Sequence, residues 1–165
     1  MYQDHAYGLA LRIVGSESDA EEAAQDAFVR IWRALPQFRG ESKFSTWLYR
    51  VVVRCAYDAS ARVRARRGRE EPLESETGAA LEPAWDPPDP GARERERRVA
   101  GLLERLTDVQ RAAVTLYYFE DRSVDEVARA LDLPEGTVKT HLHRARAALR
   151  QAWRRGEHAA EEGSR

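Results

Sequence analysis

Apolar residues recur three or four positions apart along most of the 165-residue chain, and no alternating strand pattern competes with them. In the first third of the chain this spacing predicts three helices: residues 3–14, a segment that ends before Pro36, and residues 45–67. Gly15 is expected to separate the first two. The pattern places these side chains inside: Ala6, Leu9, Ala10, Ile13, Ala20, Ala23, Ala24, Ala27, Phe28, Ile31, Trp32, Leu35, Trp47, Leu48, Val51, Val52, Cys55 and Ala56.

A second pattern, in residues 121–150, predicts two short helices joined by a tight turn. The first helix begins after Ser123, which forms a capping-box pattern with Glu126 three residues later. The segment 133–136 contains a proline and a glycine and interrupts the helix. The buried side of the second helix is expected to comprise Val138, Leu142, Ala145 and Leu149. This arrangement is the helix-turn-helix plan, in which the second helix enters the major groove of DNA.

Charge divides the chain into three parts, although the formal net charge is only −1. Residues 1–69 hold 12 basic and 8 acidic side chains, whereas residues 70–92 hold seven acids, no base and five of the seven prolines. Such a segment cannot form a continuous helix and is typical of a flexible linker. We therefore predict an all-α protein with two small helical domains, residues 1–69 and 93–155, followed by a tail over 156–165.

The second helix of the helix-turn-helix is far more basic than the first. Residues 120–135 contain six acids and two arginines, while residues 136–155 contain six basic side chains and no acid. Six unopposed positive charges would contact DNA phosphates well, in a salt-sensitive manner. The side chains placed to reach base edges, near the start of this helix, are Lys139, Thr140, His143 and Arg144. An ordinary helical hairpin with a solvated basic face would not require the acid-free run.

Other chemistries find little support in the sequence. No catalytic triad, phosphate-binding glycine loop or paired-carboxylate pocket is recognisable, so we expect neither enzymatic activity nor a cofactor. His141 and His143 lie about 200° apart on one helix and do not form a metal site together. Cys55 is the only cysteine, which excludes an internal disulfide and favours a reducing compartment. Without a long apolar stretch or a basic leader, we expect a soluble, cytoplasmic protein with no membrane insertion.

Two segments resemble conserved regions of extracytoplasmic-function (group 4, sigma-70 family) RNA polymerase sigma factors. QDAF, FRGES and TWLYR, within residues 19–54, resemble the second conserved region in order and spacing. LPEGTVKTHLHRARAALR, residues 133–150, resembles the promoter-reading end of the fourth. The resemblance implies a bacterial sigma factor that binds core RNA polymerase and promoter DNA, recognises −10 and −35 elements, and is inhibited by an anti-sigma factor.

The resemblance also implies three sets of site residues. The polymerase-binding face of the second helix would include Asp19, Glu22, Gln25, Asp26 and Arg30, with Trp32 packed inward. The −10 element would meet Phe38, Ser42, Lys43, Trp47, Arg50, Arg54 and Arg62, where an unstacked base is captured at a cost of a few kcal/mol. The −35 element would meet Lys139, Thr140, His143, Arg144 and Arg146.

Two other interpretations remain open at this point. A stand-alone helix-turn-helix regulator would carry a receiver or ligand domain in front, usually of α/β type, but residues 1–69 show neither strands nor an acidic phosphoacceptor site. A helical protein-interaction module would leave the basic second helix unexplained. Co-purification with core RNA polymerase distinguishes a sigma factor from both.

Overall fold

Seven α-helices form two groups in the part of the chain that the computed structural model describes, residues 2–68 and 90–162, and these residues include no strand. The N-terminal group consists of α1 (Tyr2–Val14), α2 (Glu17–Ala34) and α3 (Phe44–Arg67). The C-terminal group consists of α4 (Pro90–Leu103), α5 (Asp108–Val114), α6 (Val124–Leu131) and α7 (Glu135–Glu162). A 3₁₀ turn (Leu35–Gln37) follows α2, and a π-helical turn (Thr115–Phe119) follows α5. The all-α prediction is confirmed.

Two predicted boundaries differ from the structure. Residues 69–89, which make up most of the predicted linker, lie outside the described residues, but α4 already begins at Pro90. Proline suits the first turn of a helix because the backbone N–H that it lacks has no partner there. At the other end, α7 extends to Glu162 and includes most of the segment that was interpreted as a tail.

The N-terminal group forms as its apolar spacing predicts. Ala6, Leu9, Ala10 and Ile13 are all fully buried along α1. Gly15 ends this helix with a φ of +76°, in the left-handed region that glycine adopts without strain. The side chain of the next residue, Ser16, accepts a hydrogen bond from the backbone N–H of Asp19 and so caps α2.

One core prediction on α2 is wrong. The side chain of Trp32 is 78% exposed, although its place near the apolar stripe suggested that it packs inward. The buried face of α2 consists of four alanines and Ile31, and such small side chains let α1 and α3 approach closely. Trp32 follows Ile31 and therefore lies about 100° around the helix from it. Leu35 is also exposed, while Phe28, Trp47 and Val51 are half-buried.

The helix-turn-helix has the predicted geometry. At the start of α6, Ser123 Oγ accepts from the Glu126 N–H at 3.2 Å, and Glu126 Oε2 accepts from the Ser123 N–H at 3.0 Å. The helix ends at Asp132, whose φ of +59° directs the chain into the turn before α7. On α7 the side chains of Val138, Leu142 and Ala145 are buried, and Leu149 is half-buried.

The two groups of helices pack against each other. Helix α1 contacts α5, and α3 contacts α6, so the buried apolar side chains of both groups form one continuous cluster. Glu120, which follows the π-helical turn, is buried at this junction. Its carboxylate accepts a hydrogen bond from Tyr49 Oη at 2.9 Å and lies 2.7 Å from His5 Nδ1. The packing places the start of the helix-turn-helix directly over α3.

Candidate nucleic-acid interface

Aromatic side chains cluster where the loop after α2 meets the start of α3. The rings of Phe38 and Trp47 are 5.1 Å apart between centroids, and Phe44 lies 5.7 Å from each of them. Tyr2 from α1 adds an edge-to-face contact with Phe44 at 5.6 Å. This packing fixes the loop, because aromatic rings at such distances stabilise one another beyond the area that they bury.

An open cleft of about 540 Å³ adjoins these rings. Of the residues predicted to contact a −10 element, Phe38, Ser42, Trp47 and Arg50 line it together. Lys43 and the outlying Arg54 and Arg62 lie outside the lining, on the exposed surface. An aromatic wall with nearby cations has the chemistry of a site for an unstacked base and its backbone. Two further lining residues, Arg129 and Asp132, come from the end of α6.

All four basic residues predicted on this surface are in ion pairs. Lys43 Nζ lies 2.8 Å from Glu126 Oε1. Arg50 and Arg54 share one partner, Asp132 Oδ2, at 3.1 and 3.5 Å. These three pairs join α3 to α6 and the turn after it. The fourth, between Arg62 and Glu22 at 3.1 Å, stays within the N-terminal group.

The Lys43 pair has a marked effect on its carboxylate. The hydrogen bond from Lys43, helped by the backbone N–H of Ser123, lowers the pKa of Glu126 to about 2. At the far end of α3, Arg64 pairs with Asp108 at the start of α5. Burial alone would raise the pKa of Asp108, but hydrogen bonds from Arg64 and Ser60 lower it overall. Glu126 and Asp108 are therefore both charged at neutral pH and can pair with Lys43 and Arg64.

The residues predicted to bind polymerase lie on α2, but three of the five are engaged in ion pairs. Asp19 pairs with Arg66 of α3, Glu22 with Arg62, and Arg30 with Asp58 at 3.4 Å. Gln25 is exposed and Asp26 is half-buried. The Glu22 and Arg30 pairs join exposed side chains, and such pairs are weak and exchange readily, so this part of the face stays open to a partner. The Asp19 side chain, in contrast, is only 17% exposed.

The five residues predicted to read a −35 element are all exposed on α7. They face away from the buried stripe of Val138, Leu142 and Ala145, as the spacing of about 100° per residue requires. Lys139 lies 3.9 Å from Glu135, and Thr140 donates to the Gly136 carbonyl at 3.0 Å. Arg146 donates to the Leu142 carbonyl at 3.3 Å. The face is thus accessible to a duplex, while the buried side chains of Val138, Leu142 and Ala145 hold the first half of α7 in place.

Comparison with known proteins accounts for both groups of helices. Residues 1–67 match the family described as Sigma-70 region 2, and residues 96–149 match Sigma-70, region 4. The chain is 34% identical over 158 residues to the RNA polymerase sigma-H factor of Pseudomonas aeruginosa, a match that covers 92% of this chain and 81% of that protein. It is 30% identical over 163 residues to the ECF RNA polymerase sigma factor SigW of Bacillus subtilis, covering 93% and 86%. The chain belongs to the extracytoplasmic-function sigma factors.

Solved structures share its fold. The sigma factor RpoE of Bartonella quintana, in complex with the anti-sigma factor NepR, superposes with a TM-score of 0.70 over 92% of this chain and 91% of that one, at 21% identity. CnrH in complex with the cytosolic domain of CnrY gives a TM-score of 0.63 over 90% and 80%, at 28% identity. The described residues of this sigma factor include no helix long and apolar enough to cross a membrane.

Sequence reasoning missed an apolar patch on α2 of the sigma factor. Val29 is 49% exposed and lies about one turn before Trp32 on α2, next to the predicted polymerase-binding residues, and Leu35, which is 43% exposed, begins the 3₁₀ turn just after the helix. The signal was present for Val29 and Trp32, because the helical spacing places both of them about 100° or more around the helix from the buried Ile31. Sequence reasoning also missed Glu126 and Asp132 as partners of the basic residues on α3.

Proposed function

We propose that this sigma factor captures the non-template strand of the −10 element in the cleft between the loop after α2 and the start of α3. The observation that carries the proposal is the convergence of Phe38, Ser42, Trp47 and Arg50 on one cleft. Aromatic rings stack on a flipped base and the cations contact its phosphates, which together offset the cost of unstacking. Lys43, Arg54 and Arg62 extend the basic surface along α3.

In the same proposal, the −35 element is read as duplex DNA by Lys139, Thr140, His143, Arg144 and Arg146 of α7. Their common exposed face supports this role, because a recognition helix inserts such a face into the major groove. The capping box of α6 and the left-handed residue at its end hold the turn, and so set the angle at which α7 is presented.

Core RNA polymerase would bind α2, through Asp19, Glu22, Gln25, Asp26 and Arg30. We add Trp32 and Val29 to this interface, since their exposed side chains lie on the same helix. An exposed tryptophan with polar neighbours is the composition typical of a protein-binding hot spot. We infer that the chain acts as a cytoplasmic initiation factor rather than as an enzyme and needs no cofactor.

An anti-sigma factor is the expected regulator. The fold of this chain superposes over most of its length with that of RpoE, which was solved in complex with the anti-sigma factor NepR. The stand-alone regulator has less support, because residues 1–67 match a sigma region and not a receiver or ligand domain.

Two tryptophan substitutions test the assignment in a reconstituted system with core polymerase. Trp32→Ala should lower capture of core polymerase, and transcription with it. Trp47→Ala should leave capture unchanged but lower run-off transcription, because the cleft loses a stacking ring. Circular dichroism provides the control for folding in both variants. Normal transcription by both folded variants would contradict the proposed sites, whereas a wild-type chain that activates its promoter without core polymerase would favour the stand-alone regulator.

A further inference from the structure

Lysine is rare in this chain, and both lysines lie on surfaces that we assign to DNA. Among the 27 basic side chains only Lys43 and Lys139 are lysines, and all the others are arginines. Lys43 lies beside the −10 cleft, and Lys139 lies on the exposed face of α7. We propose that Lys139 is an acylation site, where an acyl phosphate converts the amine into an amide and so weakens contact with the −35 element. The proposal rests on the −35 role of α7 and concerns how that role is controlled.

Lysine and arginine carry the same charge but differ in reactivity. The guanidinium of arginine stays protonated, whereas an ammonium can lose one proton to a base and become a nucleophilic amine. The amine nitrogen then attacks the acyl carbon of the acyl phosphate. A C–N bond forms, the C–O bond to phosphate breaks, and the phosphate leaves with the electron pair and takes up the second proton. The amide is neutral, so the side chain no longer attracts DNA as a cation.

The ammonium groups of the two lysines are held to different extents. Lys43 Nζ donates to Glu126 at 2.8 Å, in a hydrogen bond that helps to lower the pKa of that carboxyl to about 2. Lys139 Nζ lies 3.9 Å from Glu135, beyond hydrogen-bond distance, and its side chain is 66% exposed. An ammonium must leave its partner before its nitrogen can react. Lys139 should therefore be acylated faster than Lys43.

The surroundings of Lys139 suit an anionic acyl donor. His143 follows it by four residues, so the two exposed side chains are neighbours on one face of α7. A neutral imidazole in that place can accept the proton that the ammonium loses. Arg146 and Arg150 continue the same face about two and three helical turns further on, and residues 136–155 contain no acid. An acyl phosphate carries negative charge and is attracted to such a surface.

Acylation at Lys139 would act directly on duplex recognition. It removes a positive charge from the face that enters the major groove, and the acyl group adds bulk there. The loss of one recognition contact of this kind should weaken binding to a −35 duplex at least about fivefold. Acylation at Lys43 changes a side chain on a different surface and should leave binding to the −35 duplex unaffected.

The test treats the full-length chain with acetyl phosphate, removes the reagent and adds unmodified core polymerase. Peptide mass spectrometry follows acetylation at each lysine, and fluorescence anisotropy measures binding to a duplex that carries the −35 element and to a scrambled duplex. Lys139→Arg is the matched variant, because it keeps the positive charge but cannot form the amide. His143→Gln tests the proton acceptor. Each protein is compared with its own untreated sample.

We expect acetylation to be faster at Lys139 than at Lys43, and several-fold slower at Lys139 in the His143→Gln chain. Once Lys139 is acetylated, the wild type should bind the −35 duplex at least about fivefold more weakly, while treated Lys139→Arg stays within about twofold of its untreated sample. Slower reaction at Lys139 than at Lys43, undiminished binding by the acetylated wild type, or an equal loss in Lys139→Arg would overturn the proposal. An unchanged rate in His143→Gln would overturn the role of the imidazole.

The untreated wild type tests the proposed function separately. If its complex with core polymerase prefers the −35 duplex to the scrambled one and acetylation at Lys139 has no effect, only the acylation site is refuted. If the untreated complex shows no such preference, the −35 role of α7 is refuted as well.

Discussion

The hydrogen bond between Tyr49 and Glu120 permits a quantitative test of how the two groups of helices pack. Tyr49→Phe removes only the hydroxyl, which donates to a nearly buried carboxylate at 2.9 Å. A hydrogen bond to a charged group contributes about 1.5–3 kcal/mol to stability. Glu120 would keep only His5 as its side-chain neighbour at hydrogen-bond distance in the described structure. We expect the free energy of unfolding to fall by about this amount, and the melting temperature by roughly 3–12 °C.

Tyr57→Phe is the matched control for this prediction. Tyr57 lies on the same helix, and its buried hydroxyl has no hydrogen-bond partner among the described residues. Removing an unpaired buried hydroxyl costs little and relieves a desolvation penalty, so the change should be neutral or stabilising. Urea unfolding of both variants measures the difference. Equal losses in the two variants, or no loss in Tyr49→Phe, would refute the contact across the junction.

Three further predictions concern DNA reading, pH and helix capping. Arg144→Ala should lower discrimination between promoter and random duplexes by about 1–3 kcal/mol, whereas Arg154→Ala should weaken binding to the two duplexes equally. Fluorescence anisotropy measures the affinity for each duplex. If both variants lose affinity equally for promoter and random DNA, Arg144 does not read a base. Because the pKa of Glu126 is lowered to about 2 from an ordinary 4.5, its contribution to stability is complete above pH 4.5 and disappears as the pH falls towards 2. Unfolding of the wild type and Glu126→Gln across that range should show the gap between them closing, and a constant gap would be evidence against the ion pair. Ser123→Ala should lower the free energy of unfolding by about 1 kcal/mol, because α6 loses its N-terminal cap. The control Ser18→Ala, on the exposed side of α2, should change it by no more than about 0.5 kcal/mol in thermal unfolding. Similar values for the two variants would exclude the capping contribution.

Much of the secondary structure could be predicted from the sequence because it depends on local interactions. The stripe of Leu9 and Ile13, the break at Gly15 and the capping box of Ser123 each involve residues within about one helical turn or on one helix face. The helical spacing of apolar residues also separates a buried face of α7 from an exposed one. Candidate −35 residues could therefore be placed on one exposed face before the tertiary structure was considered.

The contacts between the two groups of helices required the tertiary structure. Lys43 and Glu126 are 83 residues apart, and nothing in either local pattern indicates that they meet. Trp32 was wrongly predicted to be buried, because helical spacing does not show how wide the buried face of a helix is. Here the neighbouring helices pack on a narrow face of alanines and Ile31. Local periodicity thus determined which helices form and which residues line their faces. Long-range packing decided which faces meet, and it therefore also decided which carboxylates pair with the basic side chains of α3. Such contacts depend on the shapes and charges of surfaces that are distant in sequence, and local periodicity does not contain that information.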